Sequence, residues 1–297
     1  MLFIVSPAKK MADASDGFAW RDLPRFLPQA RELLEALRAL SYEQAKALWR
    51  CSDRLAELNW ARVQEMRLGD GGAAAGGEGD ARRHAAGEWL EGAAFREADG
   101  AEGSSASSPL SPALFSYEGI QYQNIAPRVL SADALEYLQR RLRILSGLYG
   151  VLRPFDGVAP YRLEMQAKLS VGGARDLYGY WGDALAESLA AELSDQLAAD
   201  PCESPVLVNL ASVEYAKAAV PHAQAAGVRV LTCLFGTVRE GRLVQRPTEA
   251  KAARGTFARW CAEHAVESEA DLARFDVGGY ALDEALCAPG TFVFTKR

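Results

Sequence analysis

Residues 145–165 read LSGLYGVLRPFDGVAPYRLEM and hold three glycines, two prolines, two arginines and two tyrosines. Leu135, Leu138, Leu142 and Leu145 stand at helical spacing ahead of them, which predicts a helix ending at Gly147 in a left-handed cap. Beyond that cap, Pro154 and Pro160 remove two backbone donors and bias Arg153 and Ala159 toward extended conformations. An irregular segment of this length holds only if its backbone polar groups find partners. Widening the window to 139–175 gives seven Lys/Arg against two acids, a local charge of +5. A rigid, glycine-shaped, positive loop suits an anion, above all phosphate. The plainer alternative is a buried Ω-like loop whose arginines make structural ion pairs.

Working outward, 297 residues suffice for one large domain or two ordinary ones, and 49% hydrophobic content is globular. No stretch approaches the roughly 18 consecutive apolar residues of a membrane span, and MLFIV at the start lacks the features of a secretory signal. The expected location is cytoplasmic, with no membrane partner. Five scattered cysteines without a C-x-x-C pair point to reduced thiols. Three histidines, none at ligand spacing, argue against a metal site, and no cofactor is expected. The net charge of −6 is concentrated in residues 69–109, where eight acids face three bases. Ten of the 26 glycines also fall there, so this stretch reads as an acidic low-complexity insertion, loop or disordered, with a turn or two of helix around 89–95.

The remaining chain alternates strands and helices. LFIV at 2–5, VLVNL at 206–210, VRVLTCLF at 228–235 and TFVFTK at 291–296 read as strands. LVQ at 243–245 reads as the return of a hairpin across Glu240-Gly241. Helices are expected over 30–40, from the capping box Ser41-Tyr42-Glu43-Gln44, over 185–197, near 213–225 and over 248–265. Ser52 starts a short helix and Asn59 another, so that Leu55-Ala56-Glu57-Leu58-Asn59 joins them as a hairpin. Residues 117–122 around Gly119 read as an extended segment. The fold class is α/β, a mixed sheet surrounded by helices.

There is no P-loop, dinucleotide fingerprint, nucleophile elbow or zincin motif. Four features could carry chemistry. Ser6-Pro7-Ala8-Lys9 follows a probable central strand, where Lys9 suits a phosphate clamp or, if buried, a nucleophile. A surface lysine at a strand end is the ordinary alternative. Residues 55–59 resemble the hairpin of a helix-hairpin-helix, with Arg54 and Arg62 in reach of phosphate, although Glu57 and Asn59 replace both glycines. The 145–165 loop supplies Arg153 and Arg162 with Asp156 and Glu164, acids that orient the arginines or act as a base. Asn209-Leu210-Ala211-Ser212, with Glu214, Tyr215 and Lys217, ends a strand and lines a cleft or caps a helix.

Taken together these pieces resemble the YaaA family of bacterial peroxide-stress proteins. The matching motifs are SPAK (6–9), CSDRLAELN-x2-R (51–62), LSGLYGVLRPFD (145–156), PYRLEM (160–165), YGYWGD (178–183), VNLAS-x-EY-x-K (208–217), K-x2-RG (251–255) and the GY pair at 279–280. They run in order along nearly the whole chain outside 69–109, so the resemblance implies a single family-specific α/β domain over 1–297. It further implies a basic cleft, a helix-hairpin-helix at about 48–67, binding of duplex or branched DNA, and a role in limiting iron-dependent oxidative DNA damage under peroxide. Carried over residue by residue, it adds Arg254 and places Lys9, Arg153, Arg162, Lys217 and Arg254 along the cleft, with Arg54, Asn59 and Arg62 as hairpin contacts. Two departures stand out: Glu57 where some members have glycine, and no aspartate after Gly119. The competing expectation is an enzyme acting on DNA or on a small phosphorylated ligand in the same cleft, with Lys9 as nucleophile or clamp. Direct iron chelation fits the histidine and cysteine pattern worst.

Overall fold

Residues Leu142–Ser146 form a strand, and this is where the architecture departs from the leucine spacing. The preceding helix stops at Arg141, and Leu142 is already extended (φ −93°, ψ 137°). All five strand residues are buried, as in a parallel sheet covered on both faces. Leucines three and four apart fit both readings; pairing of Phe3 with Leu142 and Val5 with Ile144 decides between them. Nor is Gly147 a left-handed cap, because its φ is not positive. Its small size is needed for another reason: a Cβ there would stand 2.4 Å from the Leu163 carbonyl oxygen.

The computed structural model describes residues 1–14, 17–68, 110–199 and 205–296. The expected insertion at 69–109 and its short helix lie outside them. Among the described residues eight strands make one sheet: β1 (Leu2–Val5), β2 (Leu142–Ser146), β3 (Gly150–Leu152), β4 (Val206–Asn209), β5 (Arg229–Arg239), β6 (Arg242–Val244), β7 (Tyr280–Leu282) and β8 (Thr291–Lys296). Their order is β7-β8-β5-β4-β1-β2-β3, with β6 on β5. The five central strands from β8 to β2 are mutually parallel, and β7, β3 and β6 are antiparallel additions. β1 lies inside the sheet between β4 and β2 and is buried throughout. The β5–β6 hairpin turns through Glu240 (φ 49°) and Gly241 (φ 73°), the two positive angles such a turn requires.

The flanking helices are α1 (Leu27–Arg38), α2 (Tyr42–Trp49), α3 (Asp53–Glu65), α4 (Ile120–Ile125), α5 (Ala132–Arg141), α6 (Ala184–Ala199), α7 (Val213–Ala225) and α8 (Pro247–Glu263). Ser41 and Gln44 form the expected capping box at the start of α2. The expected hairpin at 55–59 does not exist: those residues lie inside α3, a single helix of 13 residues. Asn59, far from starting a helix, is buried and donates to the Leu55 carbonyl at 2.6 Å. The bend between helices comes earlier, at Arg50, whose φ of 46° ends α2. Residues 117–122 are likewise not continuous strand, since Tyr117–Glu118 pairs with Lys10–Met11 and α4 begins after Gly119. No helix among the described residues is long and apolar enough to cross a membrane.

α8 packs against α4 with no room to spare. A Cβ at Gly255 would lie 2.1 Å from the Gln121 carbonyl oxygen, a backbone atom that cannot step aside. Gly255→Ala is therefore expected to cost about 1–3 kcal/mol or more by forcing the helices apart, measured as a lower urea midpoint. A variant as stable as the wild type would show that the two helices adjust freely.

Candidate functional site

The chain leaves β1 toward β2 but leaves β4 toward β5 on the other side. In open α/β sheets such a reversal opens a crevice beyond the carboxyl ends of the two strands. Here the segments after β1 and β4 meet. Ser6 Oγ donates to Ser212 Oγ at 3.0 Å and accepts from the Ser212 N–H at 2.8 Å. Tyr122 and Gln121 donate to the Ser6 carbonyl at 3.0 and 3.4 Å. The 6–9 turn is thus pinned from two sides, and Lys9 projects from it.

Lys9 Nζ lies 2.8 Å from Glu164 Oε2. The other oxygen of Glu164 accepts from Arg162 Nη2 at 2.8 Å, so one carboxylate joins the two cations. Arg162 is anchored below: Tyr161 bonds Ser146 at 2.6 Å and Tyr117 at 2.9 Å in a buried hydroxyl chain. Burial pushes the Tyr161 hydroxyl up to about 12, which keeps that chain neutral. From the other side, Glu214 Oε1 accepts from the Gln166 N–H at 3.2 Å. Burial raises the Glu214 carboxyl above its usual range, and nearby Glu164 adds to this while Lys9 opposes it. Tyr178 donates to the Glu214 carbonyl at 3.0 Å, and Lys217 Nζ sits 4.5 Å above the Tyr178 ring.

Beside this cluster lies a cleft of about 950 Å³. Its walls come from α1 and α2, from residues 164–170, and from Tyr178 and Lys217. Arg50 and Lys168 add positive charge to the lining, and Lys168 is held 3.3 Å from Asp176.

Of the residues singled out in the sequence, Lys9, Arg162 and Lys217 come together here with Glu164 and Glu214. The others do not. Arg153 follows β3, which runs antiparallel to β2, so it lies at the opposite end of the sheet. Its companion Asp156 is buried and accepts from the Arg153 N–H at 2.8 Å, a turn contact rather than an acid serving the cleft. The +5 window is therefore divided, and two of its members have structural partners: Arg143 pairs with Glu192 at 2.6 Å, and Arg141 donates to Gln196 at 3.1 Å. Arg54 is exposed on α3, while Arg62 donates to the Met11 carbonyl at 3.2 Å and burial lowers its pKa. Arg254 adjoins the Gly255–Gln121 contact. Its Nε is buried without a hydrogen-bond partner, and burial lowers its pKa.

Trp49, Arg50, Gln166 and Lys168 were not singled out as site residues. The capping box fixes where α2 starts, but nothing local reveals that its far end meets the 164–170 segment. Tyr178, inside YGYWGD, was visible as part of a motif without a role.

Comparison with known proteins adds the following. A family model described as "Peroxide stress protein YaaA" matches residues 1–286. A UPF0246 protein of Lachnoclostridium phytofermentans is 36% identical over 296 residues, covering all of this chain and 96% of the relative. One from Lactiplantibacillus plantarum is 37% identical, covering 99% and 98% of the two chains. A third, from Lacticaseibacillus paracasei, is 38% identical over the full length of both.

Proposed function

The chain belongs to the YaaA family of peroxide stress proteins, and from that footing we propose that it binds duplex or branched DNA, chiefly through phosphates, and thereby helps limit iron-dependent oxidative damage. The observation that carries this reading is the gathering of Lys9, Arg162 and Lys217 at one sheet end, beside Arg50 and Lys168, in a chain of net charge −6. Cations collected at one place against an acidic background attract a polyanion and release its counterions. The helix-hairpin-helix role passes from residues 55–59 to the α2–Arg50–α3 bend, with Arg54 exposed on the first turn of α3. Contacts made chiefly to phosphates carry no sequence information, so the binding is expected to be largely independent of sequence.

Fluorescence anisotropy of a labelled duplex across a salt series tests this. A log–log slope steeper than about −3 is expected, reduced by about 1 in Lys217→Ala. No binding at low salt would sink the DNA reading. A second reading, an enzyme using the same cluster, draws on the raised Glu214 carboxyl beside Glu164 and Lys9. Lys9 is 63% exposed and ion-paired, which suits a phosphate clamp better than a buried nucleophile. Lys9→Ala separates the two readings: binding lost in step with one phosphate contact supports the binder, and intact binding with lost turnover supports the enzyme.

A further inference from the structure

We propose that the cleft between α1–α2 and residues 164–170 holds one nucleoside phosphate unit, either a free mononucleotide or an unpaired nucleotide turned out of DNA. In its second form the inference rests on the DNA reading; in its first it stands without it.

Three properties of the cleft point to that chemistry. The first is size and polarity. At about 950 Å³ it is at the upper end of small-ligand pockets, and its lining includes half-buried Leu40 and Leu48 and buried Leu169. These apolar side chains favour a flat, weakly solvated group such as a base, while Glu164, which also lines the cleft, is held by Lys9 and Arg162.

The second is unspent hydrogen-bonding capacity. Trp49 lines the cleft and is 3% exposed, yet its indole N–H has no partner. The Nε of Arg162, whose Nη2 donates to the Trp49 carbonyl at 3.4 Å, is also buried and unpaired. Buried donors without partners cost roughly 1–3 kcal/mol each. The indole N–H is closed to solvent as it stands, so an acceptor such as a ring nitrogen or carbonyl of a base meets it on a small shift of the Trp49 ring. Gln44 adds an amide whose oxygen is spent on the Ser41 N–H, leaving its NH₂ group for a base edge.

The third is charge. Of the three cations lining the cleft, Lys168 is in ion-pair contact with Asp176, which Lys217 also stabilises from further away. Among the described residues Arg50 makes no ion pair, and Lys217 rests on the Tyr178 ring instead. Two cations without a direct ion pair beside an apolar slot are complementary to a phosphate joined to a base. An uncharged apolar ligand would leave both unused, and inorganic phosphate would leave the slot and the indole N–H unused.

Calorimetric titration of the intact protein with deoxyadenosine 5′-monophosphate tests the first source, with deoxyribose 5-phosphate and inorganic phosphate as controls. Binding at least about tenfold tighter than either control is expected. Trp49→Phe, which keeps the ring and removes the N–H, should weaken it about five- to tenfold. Ala47→Phe, on an exposed helical position in the cleft wall, should abolish it with an unchanged melting temperature. Anisotropy with duplexes that differ by one unpaired adenine tests the second source. A preference of about tenfold for the unpaired strand, lost in Ala47→Phe, supports an extruded nucleotide even where the free nucleotide does not bind. If the mononucleotide binds no better than phosphate and the unpaired base gives no preference, the proposal is overturned. Binding of the fully paired duplex in that same experiment judges the DNA reading separately.

Discussion

Replacing Glu192 by alanine is expected to destabilise the protein by about 3–5 kcal/mol, because it leaves a buried guanidinium without its counter-charge. Arg143 on β2 is 4% exposed, and its Nε and Nη2 lie 2.7 and 2.6 Å from one oxygen of Glu192 on α6. Burial lowers the Arg143 pKa, and the carboxylate opposes that shift, so the pair is what keeps a charge tolerable at this depth. Arg25 approaches the other carboxylate oxygen at 3.5 Å from a more exposed position and contributes little. Arg143 also donates to the carbonyls of Gln139 and Arg140 in the last turn of α5 and of Leu142 at the start of β2. Removing both charges with Arg143→Met and Glu192→Leu should therefore recover part of the loss but not all, since those carbonyls lose a donor. Urea unfolding of both variants measures this. A single variant within 1 kcal/mol of wild type would show that water reaches Arg143.

The second large effect is a pH dependence. The Asp156 carboxyl is pushed up to about 7 from 3.8, mainly by burial, with Asp22 adding to the shift and the Arg153 N–H, Arg153 and Arg143 opposing it. A carboxyl that is harder to ionise in the folded state stabilises the protein while protonated. Its contribution is full below about pH 4 and is lost as the pH rises through about 7. At 1.36 kcal/mol for each unit, the loss across the window reaches about 4 kcal/mol. Asp156→Asn keeps an acceptor for the Arg153 N–H and cannot ionise. The variant should match the wild type near pH 4 and exceed it near pH 8, with most of the divergence between pH 5 and 7. Urea midpoints at several pH values decide it. A constant difference between the two proteins at every pH would mean that Asp156 is ionised throughout.

Much of this fold is legible in local sequence. β1, β4, β5 and β8 are apolar runs of strand length, and the Glu240-Gly241 turn names its own hairpin. The capping box of α2 and the four-residue leucine repeat of α6 likewise carry their structure on their face. What local sequence hides is the outcome of competition between elements. Residues 138–145 carry leucines compatible with helix or strand, and only the vacancy beside β1 selects strand from Leu142 onward. The candidate site shows the same division. Lys9, Arg162, Glu164, Glu214 and Lys217 stand in recognisable motifs, yet the +5 window promised a single basic loop. Once β3 reverses direction, Arg153 goes to the far end of the sheet and Arg143 into an ion pair. Charge counted along a chain is a poor guide to charge in space wherever a hairpin lies within the window.

The central position of β1 has a consequence for how the molecule is made. Leu2–Val5 is synthesised before both of its partners, Leu142–Ser146 on one side and Val206–Asn209 on the other. At about 5–20 residues per second the second partner emerges on the order of 10 s or more after the first strand. For that interval an apolar segment, buried on every side in the finished sheet, has no partner for its backbone or its side chains. Contacts this distant in sequence also slow folding through loop-closure entropy. The 6–9 turn that carries Lys9 follows directly from β1, so it takes its shape only when Ser212 arrives. The nascent chain is most exposed to aggregation before that point, and anything that shelters this strand during synthesis would raise the yield of folded protein.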